Sequence, residues 1–176
     1  MIRHFIRRAA NAMGRRYHYD AGHINAMADR DLSMAIKYGL ATTFFMHRKP
    51  LPASAFWAAR LTATRLADCG SCLELVMAMA REEGIGAAEL AAVLRGAPAQ
   101  PDADLGMRFA AGAINRADGF TATHAEALHR YGEAGVDALA IAVTGGQFFP
   151  LLKRALGHGN SCSPVLARMQ AETARG

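Results

Sequence analysis

Cysteine, proline and long apolar runs are all scarce in this sequence, and each scarcity narrows what the chain can be. Three cysteines in 176 residues are too few for the disulfide framework of a small secreted domain. The longest apolar region, residues 136–152, is interrupted by an acid, glycines and a proline, which predicts a buried helix and not a membrane span. No apolar signal segment follows the N-terminal arginines. We therefore expect a cytoplasmic protein in a reducing compartment.

Long runs of β-branched residues are also missing, whereas alanine, leucine and methionine are abundant. Helical spacing of apolar residues recurs along the chain and predicts an all-α domain of roughly eight helices. The segment from His47 to Pro52 is the clearest break, because two prolines close together disfavour helix. We place a domain boundary there. The predicted organisation is an N-terminal helical extension (1–49), a helical core (50–157) and a tail (158–176).

Acidic residues are nearly absent from the first 20 residues, which carry five arginines against Asp20 alone and thus a net charge of +4. The other 156 residues hold 15 basic and 14 acidic groups, so the main domain is nearly neutral. That balance argues against a nucleic-acid-binding face. The segment 2–13 predicts an amphipathic helix with a stripe of apolar residues: Ile2, Phe5, Ile6, Ala9 and Met13. This helix fits packing on its own domain or on a partner subunit, contact of residues 1–16 with a membrane surface, or an organellar transit peptide.

The motif that carries chemistry is Asp68-Cys69-Gly70-Ser71-Cys72, at the start of a helix predicted to reach Glu83. A thiol attacks as thiolate, and the positive end of a helix dipole stabilises a thiolate. The run from Ser71 to Glu74 fits a capping box, with Ser71 as N-cap and Cys72 as the first helical residue. The spacing allows a reversible disulfide, so thiol redox is predicted. Half of a metal site and inert buried cysteines remain as alternatives.

Residues 57–85, centred on Leu66-Ala67-Asp68-Cys69-Gly70-Ser71-Cys72, resemble the signature region of the carboxymuconolactone decarboxylase superfamily, in its alkylhydroperoxidase-D-like branch. The resemblance extends over about residues 50–157. It implies an all-helical homo-oligomer, with no cofactor or metal, in which the cysteine pair reduces a peroxide or a disulfide. A cellular dithiol would then reduce the pair again.

The sequence departs from the family at the two residues that move protons. The family's glutamate, twelve residues before the first cysteine, corresponds to Trp57, and its histidine, four after the second, corresponds to Val76. A positioned acid or base contributes about 10²–10⁴-fold in rate, so we expect weak or altered turnover unless another group substitutes. The candidates for that role are His47, Arg65, Glu74 and His158. The alternative is a non-catalytic oligomeric module whose apolar pocket binds a hydrophobic ligand.

The third cysteine, Cys162, lies four residues after His158 in a glycine-containing segment. Three interpretations are open. Cys162 is a third thiol that resolves a mixed disulfide with the pair, or it completes a structural zinc site with Cys69, Cys72 and His158, or it is a tail thiol beside a loop histidine.

Two further features carry expectations about packing. His18 and His23, near two tyrosines, are expected at the surface or an interface. A long final helix is expected from about Val136, bent at Gly145-Gly146 or Pro150. The two adjacent glycines are expected to permit close helix packing and not to bind a ligand.

Overall fold

A computed structural model describes residues 1–158, and within that range the chain forms eight α-helices and no strand, so the predicted all-α fold is confirmed. The helices are α1 (Ile2–Tyr17), α2 (Gly22–Arg30), α3 (Leu32–Phe45), α4 (Ala53–Leu66), α5 (Gly70–Glu82), α6 (Ala87–Leu94), α7 (Pro101–Asn115) and α8 (Phe120–Lys153). A π-helical turn, Arg154–His158, follows α8. Residues 159–176, with Cys162, lie outside the described range.

Helix α4 is the centre of the core, and residues 55–64 are all buried. It packs against α5, α6, α7 and α8. Its small side chains allow these neighbours to approach closely. At the crossing with α7, a Cβ atom added to Gly106 would lie 2.2 Å from the carbonyl oxygen of Ala55. Only glycine therefore fits at that crossing without a shift of backbone.

Helix α8 packs on α4 through Gly145 and Gly146. A Cβ atom added to Gly146 would lie 2.6 Å from Ala63 Cβ and 2.8 Å from the carbonyl oxygen of Arg60. The predicted close packing at this glycine pair is confirmed. The bend expected at Gly145-Gly146 or Pro150 stays a prediction, and the non-helical backbone inside α8 is at Gly132, with φ 68° and ψ 179°. That left-handed φ favours a residue without a Cβ atom.

The first three helices lie over the start of α5. Asp31 caps α3 by accepting a hydrogen bond from the Met34 backbone N–H at 3.1 Å. A second apolar cluster joins residues of α1, α2 and the segment between them to Cys69 and Cys72. The boundary near residue 49 stays a prediction, but the cysteine pair lies where the two parts of the chain meet.

The segment Phe120–His158 is long and apolar enough to cross a membrane by length and composition. However, 44% of its most apolar window is buried inside the protein, and a core helix passes the same test. This finding is weak in either direction, so the cytoplasmic location stays a prediction.

Candidate functional site

The two cysteines of the motif lie together at the beginning of α5. Cys69 is the N-cap residue, with extended backbone (φ −126°, ψ 101°), and Cys72 lies one helical turn later. Their sulfurs are 2.9 Å apart, with the Cys69 thiol donating to Cys72 Sγ. Both side chains are buried. A disulfide bond is about 2.05 Å long, so roughly 1 Å of sulfur movement separates this dithiol from a disulfide.

The predicted capping box is wrong in its register. Helix α5 begins at Gly70, so Cys72 is its third residue and Ser71 its second, and no side chain caps it. The Ser71 hydroxyl instead accepts a hydrogen bond from Lys153 Nζ at 3.1 Å, and Glu74 is exposed. This long-range contact gives the Ser71 hydroxyl another partner than the backbone N–H groups of its own helix. Both cysteines still lie in the first turn, where the helix dipole favours a thiolate.

Lys153 brings a buried cation to the site from the end of α8. Its side chain has no exposed surface, and Nζ lies 4.7 Å from the centroid of the Tyr19 ring, a cation–π contact. Ser71 Oγ, which Nζ contacts, is itself 3.8 Å from Cys69 Sγ. Within residues 1–158 Lys153 forms no ion pair. A buried charge normally needs a partner of opposite sign, and Ser71 Oγ connects this ammonium to Cys69 Sγ through contacts of 3.1 Å and 3.8 Å.

Two tyrosines from the N-terminal part of the chain complete the polar surroundings. Burial raises the pKa of Tyr19 well above its ordinary value, and the charge of Cys72 and a hydrogen bond to it add to that rise. The pKa of Tyr38 is raised by burial first and by Cys72 second. Both phenols therefore keep their protons at neutral pH. A protonated phenol is a hydrogen-bond donor that a thiolate can accept from.

His23 is buried and not at the surface, which corrects the expectation from sequence. Its ring centroid lies 6.0 Å from that of Tyr19, 6.2 Å from that of Tyr38 and 5.9 Å from that of His158. Burial lowers the pKa of His23 to about 4, with smaller effects from the positive charges of Lys153 and His158. The imidazole is therefore neutral at pH 7 and does not add a second charge beside the lysine.

The other predicted auxiliary residues are less well placed. His47 is exposed after α3, and Arg65 is half-buried on α4, with an Nε atom that has no hydrogen-bond partner in residues 1–158. His158 is half-buried and packs beside His23. Among the described residues, no three potential metal ligands cluster. Cys69, Cys72 and His158 therefore do not form a ligand set by themselves, and Cys162 lies outside the described range.

The two positions at which the sequence differs from the pattern of the family it resembles have different surroundings. Trp57 is fully buried in the core, and its indole N–H donates to Glu83 Oε2 at 3.2 Å. Val76, one turn after Cys72, lines an apolar groove of about 780 Å³. Helices α1, α3, α5 and the end of α8 form this groove, and Cys72 is in its wall. Of these two residues, only Val76 lines the groove beside Cys72.

Sequence reasoning missed Lys153, Tyr19 and Tyr38. A weak signal was present for Lys153, since it follows a predicted buried helix in which basic residues are absent between positions 136 and 152. The tyrosines lie in a segment outside the resemblance and gave no signal.

Comparison of the chain with protein-family models, with curated proteins and with solved structures gives no match. The resemblance to the alkylhydroperoxidase-D-like branch therefore stays a prediction.

Proposed function

We propose that this protein is a cytoplasmic, homo-oligomeric thiol–disulfide oxidoreductase of the alkylhydroperoxidase-D-like type. Its Cys69–Cys72 pair would reduce a peroxide or a disulfide and be reduced again by a cellular dithiol. The observation that supports this most directly is the 2.9 Å separation of the two sulfurs in the first turn of α5. Inert buried cysteines would need neither this spacing nor a buried cation near them.

Cys72 is the attacking residue in this proposal, because it lines the groove through which a substrate would approach. Its thiolate attacks one oxygen of a peroxide, the O–O bond breaks, and an alcohol leaves with a proton. Cys72 is then a sulfenic acid. The Cys69 thiol attacks that sulfur, releases water and closes the disulfide. With a disulfide substrate, the first step gives a mixed disulfide, and Cys69 releases the second thiol.

Three groups would take over the task of the missing glutamate and histidine. The Lys153 ammonium favours negative charge on the pair, and Ser71 lies between that cation and Cys69. The Tyr19 phenol, which shares a hydrogen bond with Cys72, can donate to the thiolate. An ammonium, a hydroxyl and a phenol are proton donors and poor general bases, unlike the glutamate and histidine of the family pattern. The arrangement thus supports formation of a thiolate better than it supports rapid proton transfer.

The test compares the wild type with Cys69→Ser, Cys72→Ser and, as a control, Cys162→Ser. We expect one equivalent of peroxide to remove two thiols from the wild type and from Cys162→Ser, and a dithiol to restore both. In Cys72→Ser we expect peroxide consumption at the background rate, whereas Cys69→Ser should stop at a sulfenic acid. Equal peroxide consumption in all four proteins, or a disulfide that requires Cys162, would refute the proposal.

A second candidate function, a ligand-binding module without catalysis, is favoured by the apolar groove. It predicts that the thiol pKa of the pair stays near ~8.5, the ordinary cysteine value. Thiol alkylation measured across pH separates the two candidates, since the redox proposal requires a lower pKa. For the zinc alternative, metal analysis of the full purified chain is decisive, because a structural site holds one zinc per chain.

A further inference from the structure

We propose that the groove between α1, α3 and α5 binds a long-chain carboxylate, with the alkyl chain along α1 and the carboxylate at Arg60. This inference depends on the groove alone and is independent of the redox proposal. It goes further than a hydrophobic-ligand site because it assigns the charge of the ligand and the residue that recognises it.

The wall of the groove is almost entirely apolar. The stripe of α1 defined above, from Ile2 to Met13, lies along one side and spans about 16 Å at 1.5 Å per helical residue. Leucine, valine and methionine side chains of α5 form the opposite side together with Cys72. The volume of about 780 Å³ falls in the range of sites for small ligands, roughly 300–1,000 Å³. A groove of this length and lining suits an alkyl chain better than a compact polar molecule.

Arg60 is the one charged residue in the described lining of the groove. Its side chain is only 5% exposed, and Nη1 donates to the Phe45 carbonyl oxygen at 2.6 Å. The Nε atom is buried and has no hydrogen-bond partner among residues 1–158. A guanidinium has five N–H donors, whereas the contacts of the Arg60 side chain in the described residues are the hydrogen bond to Phe45 and a cation–π contact 5.7 Å from the centroid of the Phe149 ring.

Arg60 also has no counter-ion in the described part of the chain. Burial lowers its pKa to about 10, so the group is still positively charged at pH 7. A buried cation without an anion is costly. A carboxylate supplies the missing charge and accepts two parallel hydrogen bonds from a guanidinium. An uncharged or a cationic alkyl ligand would leave the buried charge of Arg60 without a counter-ion.

The test measures displacement of a fluorescent fatty-acid analogue from the full chain by palmitate, hexadecanol and hexadecylamine, all below their aggregation limits. We expect palmitate to compete at least tenfold better than hexadecanol, and hexadecylamine to compete worst. Shortening the acid should weaken binding about fourfold for each methylene removed, as expected from the burial of a methylene. Equal competition by all three head groups would overturn the assignment of Arg60.

Substitutions at Gly39 provide a test that leaves Arg60 untouched. Gly39 lies in the groove wall on α3, and a Cβ atom there would contact nothing within 4 Å. We expect Gly39→Trp to fill the groove and abolish palmitate binding, and Gly39→Ala to bind as the wild type does. Gly86→Trp, at an exposed open position away from the groove, is the control for an added indole.

The same variants distinguish other occupants. If palmitate does not bind and Gly39→Trp turns an oligomer into a monomer on size exclusion, the groove is an interface between copies and the proposal fails. Palmitate bound in the wild type should also slow alkylation of Cys72 by N-ethylmaleimide. If palmitate binds but peroxide is not reduced, only the redox proposal is refuted. If peroxide is reduced but palmitate does not bind, only the proposal of a carboxylate site is refuted.

Discussion

At the scale of single residues, His23 gives the clearest dependence on pH. Its pKa in the folded state is about 4, whereas an unfolded histidine titrates near 6.5. Between these values the unfolded chain binds the extra proton, so stability is full above pH 6.5 and is lost as the pH falls toward 4. Tyr19, Tyr38, Lys153, His158 and Asp20 are the titratable groups that act on this ring or pack against it.

We therefore expect the free energy of unfolding to fall by roughly 3 kcal/mol between pH 7 and pH 4 on account of His23 alone. In His23→Gln this part of the pH dependence should be absent, although other acids still titrate. Denaturant unfolding of both proteins at several pH values measures the difference. Parallel stability curves would show that His23 does not titrate in this way.

Lys153 is the residue whose charge we expect to control the cysteines. Replacing it by methionine keeps most of the volume and removes the ammonium, so alkylation of the pair at pH 7 should slow about tenfold, the effect of one pKa unit. The pH–rate profile should move to higher pH, which a purely structural role would not produce. Lys37→Met, at an exposed position on α3, is the matched control. An unchanged profile in Lys153→Met would exclude the lysine as the stabilising charge.

At this scale the sequence predicted the cysteines and little else. Cys69 and Cys72 are three residues apart, so their spacing can be recognised in the sequence itself. Lys153 reaches Ser71 across 82 residues, and no local pattern encodes a contact of that range. The same contact explains why the Ser71 hydroxyl does not cap α5, although the local sequence pattern predicts a cap there.

At the scale of helices, the packing of α8 on α4 leads to a prediction about glycine. Gly146→Ala should lower the free energy of unfolding by about 1–3 kcal/mol, because the new methyl group meets Ala63 and the backbone of α4. Gly39→Ala meets open space in a helix and should be neutral or stabilising by up to about 1 kcal/mol. Thermal and denaturant unfolding compare the two. Equal effects would mean that helix propensity, and not the contact between helices, governs Gly146.

Helices were predictable where their signals are local. The start of α3 at Asp31, the end of α5 before Gly84 and the start of α4 after Pro52 follow from caps, a left-handed glycine and a proline. Glycine has two different roles within α8. At Gly145 and Gly146 a side chain would collide with residues of other helices, whereas at Gly132 the backbone has a left-handed φ. The sequence alone does not distinguish these two roles of glycine.

At the scale of the whole molecule, the candidate site is shared between distant parts of the chain. The cysteines belong to the predicted core, whereas Tyr19, His23 and Tyr38 come from the predicted N-terminal extension. Sequence reasoning set those first 49 residues aside because they lie outside the family resemblance. These three side chains come together near the cysteine pair only in the folded chain, so the sequence alone does not show that they belong to the site.

The long separation between Ser71 and Lys153 also has a consequence for biosynthesis. At about 5–20 residues per second, Lys153 is synthesised several seconds after Ser71, since 82 residues separate them. During that interval Cys69 and Cys72 have left the peptidyl-transferase centre without the cation that would favour their thiolates. The cation therefore reaches the start of α5 only after α8 has been synthesised and has packed there.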